Sequence, residues 1–246
     1  MRTRVLLCLL TFSVAASSAA LVSAQPGIPP IVTQAAQAAA LSSSGVIVHE
    51  RHISVTAVAG PAHFSATNDA LLLISDGTYR HIHFLRMAEN GKSLSADQVA
   101  KREDQNNSQF DKGEGFFKQP FDRRYITDYT YTTVATTGPG VTVAFASAMH
   151  DEQHGAGQMQ VDPLTGRVLS LSYTPYVFPD HASNGNVTET FGEALPGFWT
   201  IVRIDRTYSG RVLFVSGHGV ATETLDHFHR FTDADAGLAF VRSASE

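Results

Sequence analysis

Gln158-Met159-Gln160-Val161-Asp162-Pro163-Leu164-Thr165-Gly166-Arg167-Val168-Leu169-Ser170-Leu171 is the stretch on which the fold turns. Pro163 presets φ for a turn. Gly166 is free to take positive φ, and the Asp162 and Thr165 side chains can hold the local backbone. The flanks, 157–161 and 167–174, are rich in β-formers, so the stretch reads as two antiparallel strands joined by a short loop. Alternation places Leu169, Leu171 and Tyr173 on one face of the second strand, with Val168, Ser170 and Ser172 opposite.

The same grammar extends outward. Further strands are expected at 46–58, 71–75, 79–87, 125–136, 141–149, 198–206, 211–220 and 223–231. Asp76-Gly77, Gly138-Pro139-Gly140 and Ser209-Gly210 supply turn chemistry. Short connections of this kind make a meander and exclude a run of βαβ units. Trp199 and Ile201 are expected to share a face with Arg203 and Asp205. Two helices are expected. One covers 31–41, Ala-rich after Pro29 and Pro30. The other covers 96–106, where Ser95 precedes Asp97 and Gln98 as an N-cap. Residues 233–240 form either a short closing helix or a loop. A large apolar sheet face with so little helix to cover it implies a sheet that curls over itself.

At the N-terminus Arg2 and Arg4 precede the apolar 5–16, and small residues follow up to Ala24. This is the pattern of a secretory signal at 1–24, with a single β-rich domain at 25–246. The one cysteine, Cys8, lies inside that signal, so the mature chain has no disulfide, thiolate metal site or cysteine nucleophile. Losing Arg2 and Arg4 takes the basic residues from 18 to 16 against 23 acidic, a charge of −7 with neutral histidine. Mild acidity argues against a nucleic-acid partner. A second apolar run long enough for a membrane span is absent from the sequence, so any membrane contact would be transient. A periplasmic or secreted location is expected.

The quoted hairpin, with its Asp-Pro-x-Thr-Gly turn before an alternating strand, resembles that of outer-membrane lipoprotein-sorting (LolA-like) proteins. Glu89-Asn90-Gly91-Lys92-Ser93-Leu94-Ser95-Ala96 is similar to a linker in an exported bacterial branch of that group. The resemblance implies an α+β, mostly antiparallel fold. It would be a curved, unclosed β-barrel with a short N-terminal helix and one inserted helix. It implies carriage of an apolar small molecule, lipid or lipoprotein acyl chain in the concavity. No family residue is defined sharply enough to transfer as a site.

Leu169, Leu171, Tyr173, Trp199 and Ile201 are the expected lining of such a concavity, or else part of a filled core. Without a metal the carrier needs no cofactor. The alternative rests on histidine. His81 and His83 lie two apart on one strand, as do His227 and His229, and paired imidazoles bind zinc or copper. His49 and His52, three apart, face opposite sides. His150-Asp151-Glu152-Gln153-His154 lacks the zinc-protease order and reads as a hairpin loop. Ser216-Gly217-His218-Gly219 is no nucleophile elbow, and Gly113-x-Gly115 is too short for a phosphate loop. Phe116, Phe117 and Phe121, beside Lys118, Arg123 and Arg124, offer either a partner-binding loop of an envelope scaffold or sensor, or rings tucked into the core. The residues specify no enzymatic reaction and no oligomeric state.

Overall fold

The computed structural model describes residues 27–113, 116–137, 140–178, 182–212 and 215–244. The expected signal at 1–24 and the turn residues Gly138 and Pro139 lie outside these. Helix α1 (Pro30–Ser42) comes first. The strands β1 (Val46–Ala59), β2 (Ala62–Ser75), β3 (Thr78–Glu89) and the two-residue β4 (Lys92–Ser93) follow. Helix α2 (Ala96–Lys112) and a 3₁₀ turn (Ile126–Asp128) lead to β5 (Tyr129–Thr137), β6 (Gly140–Ser147), β7 (Gly155–Val161) and β8 (Val168–Pro175). The chain continues through β9 (Ala182–Leu195), β10 (Phe198–Val212) and β11 (Val215–Phe231) to helix α3 (Ala234–Ser243). No helix among the described residues is long and apolar enough to cross a membrane.

All eleven strands form one sheet in the order β4-β3-β2-β1-β11-β10-β9-β8-β7-β6-β5. Every pairing is antiparallel, and β4 and β5 remain as edges, so the sheet is unclosed. It also curls. The consecutive residues Phe116 and Phe117 stack on Tyr79 of β3 and on Tyr173 of β8, six strands away. In a flat sheet six steps would separate those backbones by about 29 Å. Bulges in β1/β11, β2/β3, β5/β6, β7/β8 and β9/β10 supply the bending.

The inner face carries two apolar clusters. Val32 and Ala35 of α1 pack on Val143, Met159, Val161, Val168, Leu171, Ile204 and Leu225. Under α2, Ala70, Leu72, Ile82, Phe84 and Met87 pack with Val99 and Phe110. The outer face is covered by α3, where Val241 meets Val46, Val48, Leu71 and Leu73. The β7–β8 hairpin fastens α1 to the sheet. Asp162 Oδ1 accepts from Leu164 N–H at 2.9 Å, and Gly166 stands at φ 72° against α1. A Cβ there would meet Gln34 Cγ at 2.7 Å, so the glycine is needed for close approach as well as for its turn.

Several expectations are corrected. Strand β9 was not anticipated, because Asn184, Gly185, Asn186 and Glu189 break its apolar signal. Strand β2 begins at Ala62 where only 71–75 was expected, and 215–231 is one continuous strand. Helix α2 runs to Lys112, where Gly113 caps it at φ 68°. Two bulges shift faces. Val161 pairs Val168 while Gln160 pairs Ser170, so Leu169 is the extra residue, and Val168 joins Leu171 and Tyr173 in the core. Likewise Ile201 pairs Phe191 and Arg203 pairs Thr190, leaving Val202 extra. Ile201 therefore shares the inner face with Ile204 and Arg206, and Arg203 pairs with Asp205 outside.

Candidate functional site

Between the two inner apolar clusters runs a row of polar side chains. Regular pairing of β1 with β2 sets His49 opposite Leu72, Arg51 opposite Ala70 and Ile53 opposite Asn68, all on the inner face. Ile53 also faces Glu223, which lies across from Ile204, which lies across from Glu189. Asn68, Arg51, Glu223, Arg206 and Glu189 thus come together from five strands.

Within the row, Arg206 Nη1 meets Glu223 Oε2 at 2.8 Å. Burial alone would lower the Arg206 pKa, but the charge and hydrogen bond of Glu223, with Tyr173 and Tyr208, together raise it. Glu189 is only 4% exposed. Burial pushes its carboxyl up to about 7, against opposing hydrogen bonds from Gln119 at 2.9 Å and the Tyr173 hydroxyl at 3.3 Å. Arg51 is held below its ordinary range by burial, and Glu223 counters this only in part. Its guanidinium lies 5.9 Å from the Phe84 ring centre. Among the described residues Arg51 forms no ion pair, and its Nε is buried without a hydrogen-bond partner. Asn68 Oδ1 and both ring nitrogens of His49 share that condition. Burial, with the Arg51 charge adding to it, drives the His49 pKa down to about 3, so the ring is neutral against Phe228.

The row is roofed by the segment after α2. Phe116 stacks on Tyr79 at 4.7 Å, Phe117 stacks on Tyr173 at 3.7 Å, and Phe121 meets Phe191 edge-on at 5.6 Å. Gln119 reaches Glu189, and Arg124 Nη1 donates to Thr78 Oγ1 at 3.1 Å. The rings expected to be available to a partner are therefore engaged with the sheet, in keeping with the second of the two expectations for this loop.

The five expected lining residues do not all come together. Leu171 and Tyr173 are packed in the α1 cluster, and Ile201 sits at its border. Trp199 Nε1 donates to the Val168 carbonyl at 2.7 Å and lies under Arg167, while Leu169 is the bulge residue. The four expected metal-site histidines do not converge. His81 stands across β2 and β1 from His229, about 14 Å in three strand steps. His81 lines an outer groove of about 380 Å³ between α3 and β2–β3, with Leu73, Arg80, Asp235 and Leu238. His83 is bound to Glu103 of α2, and His229 packs on Phe240. Only His227 lies in a group with metal-binding potential among the described residues, with Glu50, His52 and Asp226. His154 is fully buried in the β6–β7 turn, held by Asp151 at 2.6 Å.

Sequence reasoning missed Arg51, Asn68, Glu189, Arg206 and Glu223. Charged residues within strands were readable as such, but a charge on a half-polar strand ordinarily faces water. Only the run of pairings from β2 through β1, β11 and β10 to β9 shows that these face inward.

No protein-family model matches the chain, and no curated protein matches it in sequence. Solved structures do match. A LolA superfamily protein from Nitrosomonas europaea is 8% identical, with 84% of this chain and 94% of that chain covered at TM-score 0.36. A DUF1329 family protein from Desulfovibrio piger is 10% identical, covering 84% and 97% at TM-score 0.37. A domain assigned to outer-membrane lipoprotein sorting from Vibrio parahaemolyticus is 9% identical, covering 87% and 98% at TM-score 0.39. Structures of the superfamily that the hairpin resembles are thus among the matches. At such identities and TM-scores the likeness carries no function over to this chain.

Proposed function

We propose that the inner face binds an amphipathic ligand, an acyl chain with an anionic or acceptor-rich head group, and that the protein is an exported carrier or sensor of such molecules. The observation that carries this reading is the state of Arg51. It is a half-buried cation whose Nε is buried without a hydrogen-bond partner, set between two apolar clusters and beside Asn68 Oδ1 and the His49 ring nitrogens in the same condition. A buried guanidinium N–H without an acceptor is costly, and a ligand head group would offset that cost. Glu223 is already engaged by Arg206, and a Glu189 with a pKa near 7 carries only part of a negative charge at neutral pH, so the row has cation to spare. Apolar side chains on both sides suit the ligand's body. The segment 116–121 would have to lift for entry.

The test uses delipidated, tag-free protein with a fluorescent fatty acid and its methyl ester. Saturable uptake of the acid is expected. Arg51→Met should weaken the acid at least tenfold while changing ester binding by less than threefold. A wild-type protein that takes up neither probe would sink the proposal.

A further inference from the structure

The outer face of the β1–β11 seam carries a second cluster, independent of the inner row. Glu50 and His52 lie two apart on β1 and so project to the same side. Asp226 and His227 are adjacent on β11, and in a regular strand they would point to opposite sides. Here the pairing jumps: Val48 faces His229, Glu50 faces Asp226, and His227 and Phe228 together stand opposite His49. His227 takes the left-handed region at φ 46°, which is rare for a non-glycine residue. This bulge brings both neighbours to the same point. His227 Nδ1 is 3.2 Å from Glu50 Oε2 and 3.4 Å from Asp226 Oδ1. His52 Nε2 is 3.5 Å from Glu50 Oε2 and 3.2 Å from Asp226 Oδ1.

Those four separations carry the argument. A metal bound tetrahedrally at about 2.0–2.1 Å holds its ligand atoms about 3.4 Å apart. The four alternating His–carboxylate edges span 3.2 to 3.5 Å, and all the ligand atoms lie within 4.8 Å of one another. Drawn in along the diagonals the set is a tetrahedron; a square plane at about 2.0 Å would need the edges to close to about 2.8 Å. These are the geometries favoured by zinc and by copper(II).

The support behind His52 fits the same role. Its other nitrogen, Nδ1, meets Asp69 Oδ1 at 2.9 Å, and Asp69 Oδ2 is gripped by Arg86 through Nε at 2.8 Å and Nη2 at 2.5 Å. A carboxylate behind a ligating imidazole fixes its tautomer and raises its basicity. With neutral imidazoles, Glu50, Asp226, Asp69 and Arg86 sum to −2, the charge a divalent cation neutralises. The side chains are a third to two thirds exposed, so an ion can enter from solvent.

The geometry points to a surface site for one divalent transition-metal ion, zinc or copper, with His52 Nε2, His227 Nδ1, Glu50 and Asp226 as ligands and Asp69 as the positioning residue. It clamps β1 to β11 at their bulge. The test is calorimetric titration of tag-free, chelator-stripped protein with zinc and with copper(II). Stoichiometry of one is expected for at least one metal, with bound metal raising the Tm. H52A and H227A should each weaken binding more than tenfold. D69A should weaken it about tenfold and move the bound copper spectrum, a shift that a merely structural defect would not produce. H81A and H83A should bind as the wild type does, and circular dichroism should show every variant folded. Wild-type protein binding neither metal tighter than 1 mM, or binding unchanged in H52A and H227A, would overturn the inference. Neither result bears on uptake of the fatty-acid probe.

Discussion

Glu189 lies across from both Leu171 and Ile204, in surroundings that favour the neutral acid. Its folded pKa, about 7, exceeds the ordinary 4.5. Below pH 4.5 folded and unfolded chains are both protonated there, and the residue's contribution is fully present. As pH rises from 4.5 to 7 the unfolded chain ionises first, and the contribution is lost, by about 3 kcal/mol in all. Glu189→Gln keeps the shape without the titration. Its stability relative to the wild type should rise by about that amount between pH 4 and pH 8, measured by urea unfolding. Comparing the two proteins matters because His49, depressed to about 3, contributes the opposite slope between pH 3 and 6.5. An unchanged difference across the range would mean that Glu189 is not held neutral.

Helix α2 shows how one element answers another. Among the described residues strand β3 is paired on its far side only by two-residue β4, so most of that edge has no partner strand. Exposed strand edges invite unwanted pairing. Here α2 supplies side chains in place of a strand. Asn107 Oδ1 accepts from Ile82 N–H at 2.8 Å while its Nδ2 donates to the Ile82 carbonyl at 3.1 Å. Glu103 accepts from Phe84 N–H at 2.9 Å. The helix itself was legible from Ser95 and Gln98, which form a reciprocal capping box. Its polar surface read as solvent-facing, and no residue of α2 is in fact fully buried. Its task at the strand edge could not be read, because Asn107 has a partner only once β3 is beside it. Asn107→Ala should cost about 1–3 kcal/mol. It should also speed amide exchange at Ile82 and Phe84 at least tenfold, while amides in β8 keep wild-type rates.

At the scale of the whole molecule, the sheet is begun and finished at one seam. Strand β1 pairs with β11, and Arg51 meets Leu225 from 174 positions away. Closing so long a loop costs entropy before the seam repays it, so we expect the seam to form late in folding. Leu225 is buried in the α1 cluster. Leu225→Ala should destabilise by about 2–4 kcal/mol. That loss should fall on the unfolding rate, with the folding rate within about threefold of wild type in stopped-flow measurements. A folding rate reduced in proportion to the lost stability would place the seam in the nucleus.

Local chemistry determined the antiparallel meander, both main helices, the tight Asp76-Gly77 and Asp162–Gly166 turns and the segregation of large from small side chains, because these depend on neighbours within a few positions. Along β1 it set His49 and His52 on opposite faces, since alternation needs no partner strand. Only the tertiary structure decided which of the two faces inward. It also turned the faces of β8 and β10 at Leu169 and Val202, and brought Asp226 and His227 to Glu50 and His52. Bulges, curl and the β1–β11 pairing are collective choices of backbone register, and a register is set by residues that meet only after the chain has closed on itself.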